Sequence, residues 1–271
     1  MLRDRIIKQY GPHCRIRQIR RTPRFRSTLF VVDFGEGARM TRLLGAIAED
    51  GRLTEQSAMD LLHPERLVFL YERLMLTAFA LAEKQEAALL LGLGGGAMLR
   101  HLSAYLPECA LTVVERDPAV IDLARRFFYV TQPITAADAQ EVVADARGRY
   151  DVILADLYDG RGITRVEPGF WQDCARALAP GGCLAVNWAA FVDDAMAREE
   201  AQAIDAAIGR SLFIGPRALS ENVVQLASLK SSVTPEELGP RWRRFALRHR
   251  LPREDRETLA RCMLTAEFPG P

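Results

Sequence analysis

Apolar positions fall into three regimes along the chain. Between residues 14 and 45 they alternate with polar ones or gather in short β-branched runs: Arg15 and Arg17 alternate with Cys14 and Ile16, and TLFVVDF leads through Gly35-Glu36-Gly37 into ARMTRLL. A period of two broken by a glycine-bearing turn predicts antiparallel strands. In HPERLVFLYERLMLTAFALAEK the period lengthens, with Leu67, Leu70, Tyr71, Leu74, Met75 and Phe79 on one side of a helix and Pro64 in its tolerated first turn. Beyond it, apolar runs alternate with amphipathic ones. The predicted strands are ALLLGLG, LTVVE, EVVAD, YDVILADLY, GGCLAVNWAAF and NVVQLASL; the predicted helices are AMLRHLSAYL, PAVIDLARRFF, PGFWQDCARALA and AMAREEAQAIDAAIG. Apolar strands separated by helices predict a parallel sheet covered on both faces. From Thr234 the pattern predicts two helices, with acidic first turns at Pro235-Glu236-Glu237 and Pro252-Arg253-Glu254-Asp255.

Composition narrows the class. With 271 residues, 49% hydrophobic, 26% charged and a formal net charge of +1, the chain has globular composition and no global pull toward nucleic acid or membrane. The charged start lacks the unbroken apolar core of a secretory signal, and no apolar run approaches the roughly 20 residues of a membrane span, so a cytoplasmic protein is expected. Cys14, Cys109, Cys174, Cys183 and Cys262 are odd in number and widely spaced, which predicts small buried thiols, no disulfide and no metal.

Candidate chemistry begins at Gly92-Leu93-Gly94-Gly95-Gly96-Ala97, between a buried strand and a helix. Glycines let the backbone turn tightly and approach a ligand that side chains would exclude. Glu115, roughly 20 residues on, ends the next strand, where a carboxylate can accept both ribose hydroxyls. Asp145-Ala146 follows EVVA and would end the third strand, in reach of an adenine amino group; Asp156-Leu157-Tyr158-Asp159 ends the fourth. Hydride transfer gives such a series of carboxylates no work, whereas a cationic, adenine-bearing sulfonium nucleoside does. The expected fold is α/β: a β-rich lead-in over 1–60, a Rossmann-like nucleoside-binding catalytic domain of the class I S-adenosylmethionine-dependent type over 61–230, and a helical extension over 231–271.

In these motifs the chain resembles the spermidine synthase (polyamine aminopropyltransferase) family, from about residue 28 to 230. LGLGGGAMLR matches the family's glycine loop, Glu115 its ribose-binding acid, Asp145-Ala146 its adenine-contacting Asp-Gly and Asp156 to Asp159 its D-x-x-D catalytic segment. The resemblance implies decarboxylated S-adenosylmethionine as co-substrate, with contacts from Gly92, Gly94, Gly95, Gly96 and a donor-contacting glutamine at Gln56. It implies Asp156 as the base, Asp159, Tyr158, Tyr71 and Glu72 around the amine, and a homodimer or higher homo-oligomer. The chain also departs from the family. Gly95 stands where the loop carries an aspartate facing the donor's amine, Tyr71-Glu72-Arg73 replaces Tyr-His-Glu, Gly160 replaces a proline, and the four residues between Asp145 and Tyr150 leave no room for the helix that walls the adenine.

An alkylamine has a pKa of roughly 10 and must lose a proton before it attacks the carbon on sulfonium, which is the work expected of Asp156. Methyl transfer is the same displacement, and Gly95 admits the carboxylate of intact S-adenosylmethionine, so an amine methyltransferase is an alternative. A non-catalytic nucleoside-binding scaffold is another. Trp188, after Asn187, either walls the pocket or packs in the core. The arginines of residues 1 to 30 and RWRRFALRHR, with Trp242 and Phe245, are expected to be solvated faces rather than a nucleic-acid surface. Glu49, Asp50, Glu55 and Asp60 are further candidates for holding a cationic amine.

Overall fold

The computed structural model describes residues 2–22, 27–157, 166–189, 194–216, 222–230 and 234–265. The chain opens with α1 (Leu2–Tyr10), then β1 (Arg15–Thr22), β2 (Ser27–Glu36), β3 (Arg39–Ile47) and β4 (Leu53–Asp60) form an antiparallel sheet in sequence order. The first three strands are those the alternation predicts; β4, whose LTEQSAMD carries few apolar residues, was not anticipated. Both faces of this sheet are covered. Ile6 of α1 packs with Phe30, Val32 and Leu43 on one side, and Leu29, Val31 and Leu44 meet Val120 and Leu123 on the other.

Two short helices follow, α2 (Leu70–Met75) and α3 (Thr77–Leu81), and then β5 (Ala87–Leu91), α4 (Ala97–Tyr105), β6 (Ala110–Val114), α5 (Pro118–Phe127), α6 (Ala139–Asp145), β7 (Tyr150–Ala155), α7 (Phe170–Ala177), β8 (Leu178–Trp188), α8 (Asp194–Ala207), β9 (Leu212–Pro216), β10 (Val223–Ser228), α9 (Pro235–Arg248), α10 (Arg253–Arg256) and β11 (Cys262–Thr265). The second sheet runs β11-β9-β10-β8-β7-β5-β6. Its β6-β5-β7-β8 part is parallel, while β10, β9 and β11 are joined antiparallel, so the sheet is mixed rather than parallel throughout. The α/β, Rossmann-like reading holds. The last segment is not purely helical, because β11 adds a strand to the sheet edge.

Two local expectations are overturned. Residues 141–145, EVVAD, are helix α6 and not a strand: Asp138 caps it by accepting from Gln140 N at 3.0 Å, and Ala139, Val143 and Ala146 are the buried face at helical spacing. The third parallel strand is reduced to one bridge, Val114 with Thr135, since Pro133 just before it has no amide hydrogen to donate. The helix predicted from Pro64 begins only at Leu70. The carbonyls of Pro64 and Glu65 face Arg100 Nε and His101 Nδ1 of α4 at 2.9 Å, and residues 63–66 form a turn closed by Arg66 N on His63 O.

Candidate active site

The glycine loop is where β5 stops and its neighbours converge. Gly92 has φ +100°, and a Cβ there would overlap the carbonyl oxygen of Asp156, so only glycine lets the end of β5 approach the end of β7 this closely. Asp156 N in turn donates to Leu91 O at 2.9 Å, which fixes the fourth-strand acid beside the loop. The cavity above this junction holds about 230 Å³.

Glu115 and Asp156 face this cavity from the ends of the two strands flanking β5. Glu115 accepts from Leu93 N at 3.1 Å and from Asp117 N at 2.8 Å. Burial raises its pKa, and these backbone donors act in the opposite direction. Asp156 accepts from Asn187 Nδ2 at 2.8 Å and from Tyr71 Oη at 3.2 Å. Burial raises it too, against the pull of both donors. Tyr71 is lifted well above the usual phenol range by burial and by the carboxylate it serves. Asn187 belongs to β8; the sequence singled it out only as the neighbour of Trp188. Trp188 itself points into the core, 2% exposed, and donates to Gln225 Oε1 at 3.0 Å, so it packs rather than walls the site.

Glu72 lies beneath Tyr71, 2% exposed, facing a second cavity of about 30 Å³ that shares Gln56, Tyr71, Gly92, Gly94 and Asp156 with the first. Its Oε2 accepts from Phe69 N at 3.2 Å. Burial lifts its pKa to about 8, and the charge of Asp156 adds to the effect. Burial thus favours its protonated form well above the ordinary glutamate range, and the space beside it is large enough for one water.

Gly92 and Gly94 line the main cavity; Gly95 and Gly96 do not. A Cβ on Gly95 would lie 2.9 Å from both Phe128 Cδ1 and Ser57 Oγ, in packed interior rather than open pocket. Arg100 fastens the loop from behind, donating to Gly95 O and Phe128 O from Nη1. Gln56 lines the cavity together with Glu55, although adjacent strand residues normally face opposite sides. The reason is a bulge: Leu44 pairs with Ser57 and Gly45 with Glu55, which leaves Gln56 as the extra residue and turns both side chains inward. Tyr10 of α1 donates to Glu55 Oε1 at 3.0 Å.

The third-strand acid is misassigned in the sequence reading. Asp145 is exposed at the end of α6 and Ala146 is buried below it, and neither lines the cavity. Asp138-Ala139 does, seven residues earlier, with Asp138 Oδ2 3.5 Å from Arg116 Nη1. A helix does stand at the cavity here: α6, whose Ala139 and Gln140 line it. The signal was present in TAADAQE, an aspartate at a helix N-cap, but the valine pair after it imitates a strand. Tyr158 and Asp159 lie outside the described residues. Of the other acidic candidates, Asp50 and Asp60 close turns by accepting from Arg52 N and Leu62 N, both at 2.8 Å, and Glu49 is exposed. Trp242 and Phe245 are buried, 1% and 6% exposed, so α9 turns its aromatics inward. Among the described residues no metal-binding cluster occurs, and no helix is long and apolar enough to cross a membrane.

Residues 68–207, just over half of the chain, match the family model described as "Spermine/spermidine synthase domain". A polyamine aminopropyltransferase from Chromobacterium violaceum is 37% identical over 145 residues, which cover 51% of this chain and 56% of that protein. The chain thus spans little more than half the length of this curated relative. A crystal structure of a probable spermidine synthase from Corynebacterium glutamicum superposes with a TM-score of 0.68 at 20% identity, covering 86% of each chain. Human methyltransferase-like protein 13, solved in complex with SAH, superposes at 0.58 with 23% identity over 69% of this chain and 95% of that one. The two structures share the fold with this chain, and the fold alone does not choose between their activities.

Proposed function

The chain belongs to the spermine/spermidine synthase family, and from that premise we propose that it transfers an aminopropyl group from decarboxylated S-adenosylmethionine to a small amine such as putrescine. The observation that carries this reading is the charge of the cavity wall. Among the described residues Glu55, Glu115, Asp138, Asp156 and Glu167 face it, against one guanidinium, that of Arg116. A site with that excess of carboxylates favours a donor and an acceptor that are both cationic, and disfavours the extra carboxylate of intact S-adenosylmethionine. Glu115 would hold the ribose and Asp138 the adenine edge, with Gly92 and Gly94 leaving room for the nucleoside. Asp156 would accept the proton of the acceptor's ammonium. The freed nitrogen lone pair then attacks the methylene carbon on sulfonium, the C–S bond breaks toward sulfur, and methylthioadenosine leaves as a neutral thioether. A carboxyl whose pKa is raised by burial is a better match to this proton transfer than a solvated one.

Methyl transfer is the alternative, because the fold is shared with a methyltransferase as well. Calorimetry with decarboxylated S-adenosylmethionine, S-adenosylmethionine and methylthioadenosine, followed by turnover on putrescine, separates the two. Tighter binding of the decarboxylated donor with methylthioadenosine released is the expected result. Tighter binding of S-adenosylmethionine with methylated product would replace the reading by the alternative.

A further inference from the structure

Next to α2 and outside both cavities, four separate segments meet around one buried carboxylate. Helix α2 has six residues, too few to hold its own geometry, yet it presents Tyr71 to Asp156 and carries Glu72. The next residue, Arg73, donates from Nη2 to Leu67 O at 2.5 Å, and its Nε lies 3.2 Å from Asp255 Oδ1. Asp255 is on α10, 2% exposed, in the C-terminal part of the chain beyond the family-matched span. Its Oδ2 faces Nε2 of His101 at 3.8 Å, and His101, fully buried on α4, has Nδ1 2.9 Å from Glu65 O. Asp255 therefore sits between the helix that starts at the glycine loop and the helix that serves Asp156.

A buried ion pair is a poor stabiliser, because desolvating both charges offsets most of their attraction. Orientation is the use such a pair has. Neither contact is a hydrogen bond, since Arg73 Nε and His101 Nε2 make none, but the guanidinium is always charged and is the nearer of the two, so Arg73 is the ion-pair partner that Asp255 holds. We propose that Asp255 is a positioning residue for the reaction: through Arg73 it fixes the setting of α2 and thereby the reach of Tyr71 to Asp156. Asp255 lines neither cavity, and its catalytic consequence rests on the aminopropyl-transfer reading.

The test is Asp255→Asn, with Asp255→Glu as the charge-keeping control, followed by hydrogen exchange and by steady-state kinetics in both substrates. The expected result is faster exchange confined to residues 68–76, with kcat lower by about tenfold, donor KM unchanged within about twofold, and kcat partly restored in Asp255→Glu. Wild-type exchange and kcat in the folded Asn variant would overturn the proposal. So would exchange that rises evenly over the chain while kcat merely follows the folded fraction. If Asp255→Asn does not fold, Arg73→Lys, which keeps the charge but loses the planar fork, is subjected to the same two measurements with the same criteria. Failure of the wild-type protein to turn over the amine would defeat the functional reading alone; exchange over residues 68–76 would still decide whether Asp255 fixes α2 through Arg73.

Discussion

Glu115 and Asp156 occupy matching places on either side of Gly92, at the ends of β6 and β7, and each accepts two hydrogen bonds against a burial that raises its pKa. They differ in who donates. Glu115 is held by two backbone amides within 22 residues of it, Leu93 and Asp117, whose positions follow from the path of the chain. Asp156 is held by two side chains, Tyr71 and Asn187, brought from 85 residues before it and 31 after it. A carboxylate fixed by backbone amides is a permanent acceptor that no single substitution among its donors can retune. One fixed by side chains can be adjusted from several distant segments. The Glu115 end of the cavity is therefore built locally and rigidly, and the Asp156 end is assembled and tunable.

The sharpest way to break this contrast is at the two acids themselves. Asp156→Asn keeps the shape but removes the proposed base, and turnover is expected to fall by about 10²–10⁴-fold while donor affinity measured by calorimetry changes only severalfold. Turnover within tenfold of wild type would move the base elsewhere. Glu115→Ala should do the reverse. Loss of charge-assisted hydrogen bonds worth about 1.5–3 kcal/mol each raises the donor Kd by roughly 10- to 100-fold, with kcat recovered at saturating donor.

Smaller effects probe the tunable end. Tyr71→Phe removes a donor that holds the Asp156 pKa down, so that pKa rises further and the acid limb of the kcat profile moves to higher pH. A profile unshifted from wild type would show that Tyr71 does not set the acid. Glu72 acts on stability instead. Its folded pKa of about 8 lies above the 4.5 of an ordinary glutamate, so the folded state holds the extra proton between these limits and its contribution to stability is lost as pH rises toward 8. The slope is at most about 1.4 kcal/mol per pH unit. Melting temperatures of Glu72→Gln should accordingly fall less than those of wild type between pH 6 and pH 9; parallel curves would show that Glu72 is already ionised at pH 6.

Much of the scaffold was legible because it depends on contiguous residues. The period-two run before Gly35, the apolar β5, the glycine loop and Glu115 each announce themselves within a window shorter than thirty residues, and the same windows carry the family resemblance. The errors arose where short segments were judged without their neighbours. EVVAD has two adjacent valines and five residues, too few to distinguish a strand from one turn and a half of helix, and the displaced reading put the candidate acid at Asp145, which does not line the cavity, instead of Asp138, which does. β4 was missed because its cavity-facing residues are polar, and β9 and β11 because they are short strands at or near the sheet edge.

By itself the sequence determined the α/β class, the place of the loop, and the acids at the ends of β6 and β7, since hydrophobic period and glycine placement are properties of the chain alone. Tertiary structure decided which donors reach those acids. No window contains both Tyr71 and Asp156, both Gln56 and Gly94, or both Arg73 and Asp255, and pKa values follow from burial and partners that exist only once the segments are packed. The bulge that turns Glu55 and Gln56 to the same side, and the packing of Phe128 and Ser57 against Gly95, are likewise settled by pairing across strands and helices, where the physical contacts lie.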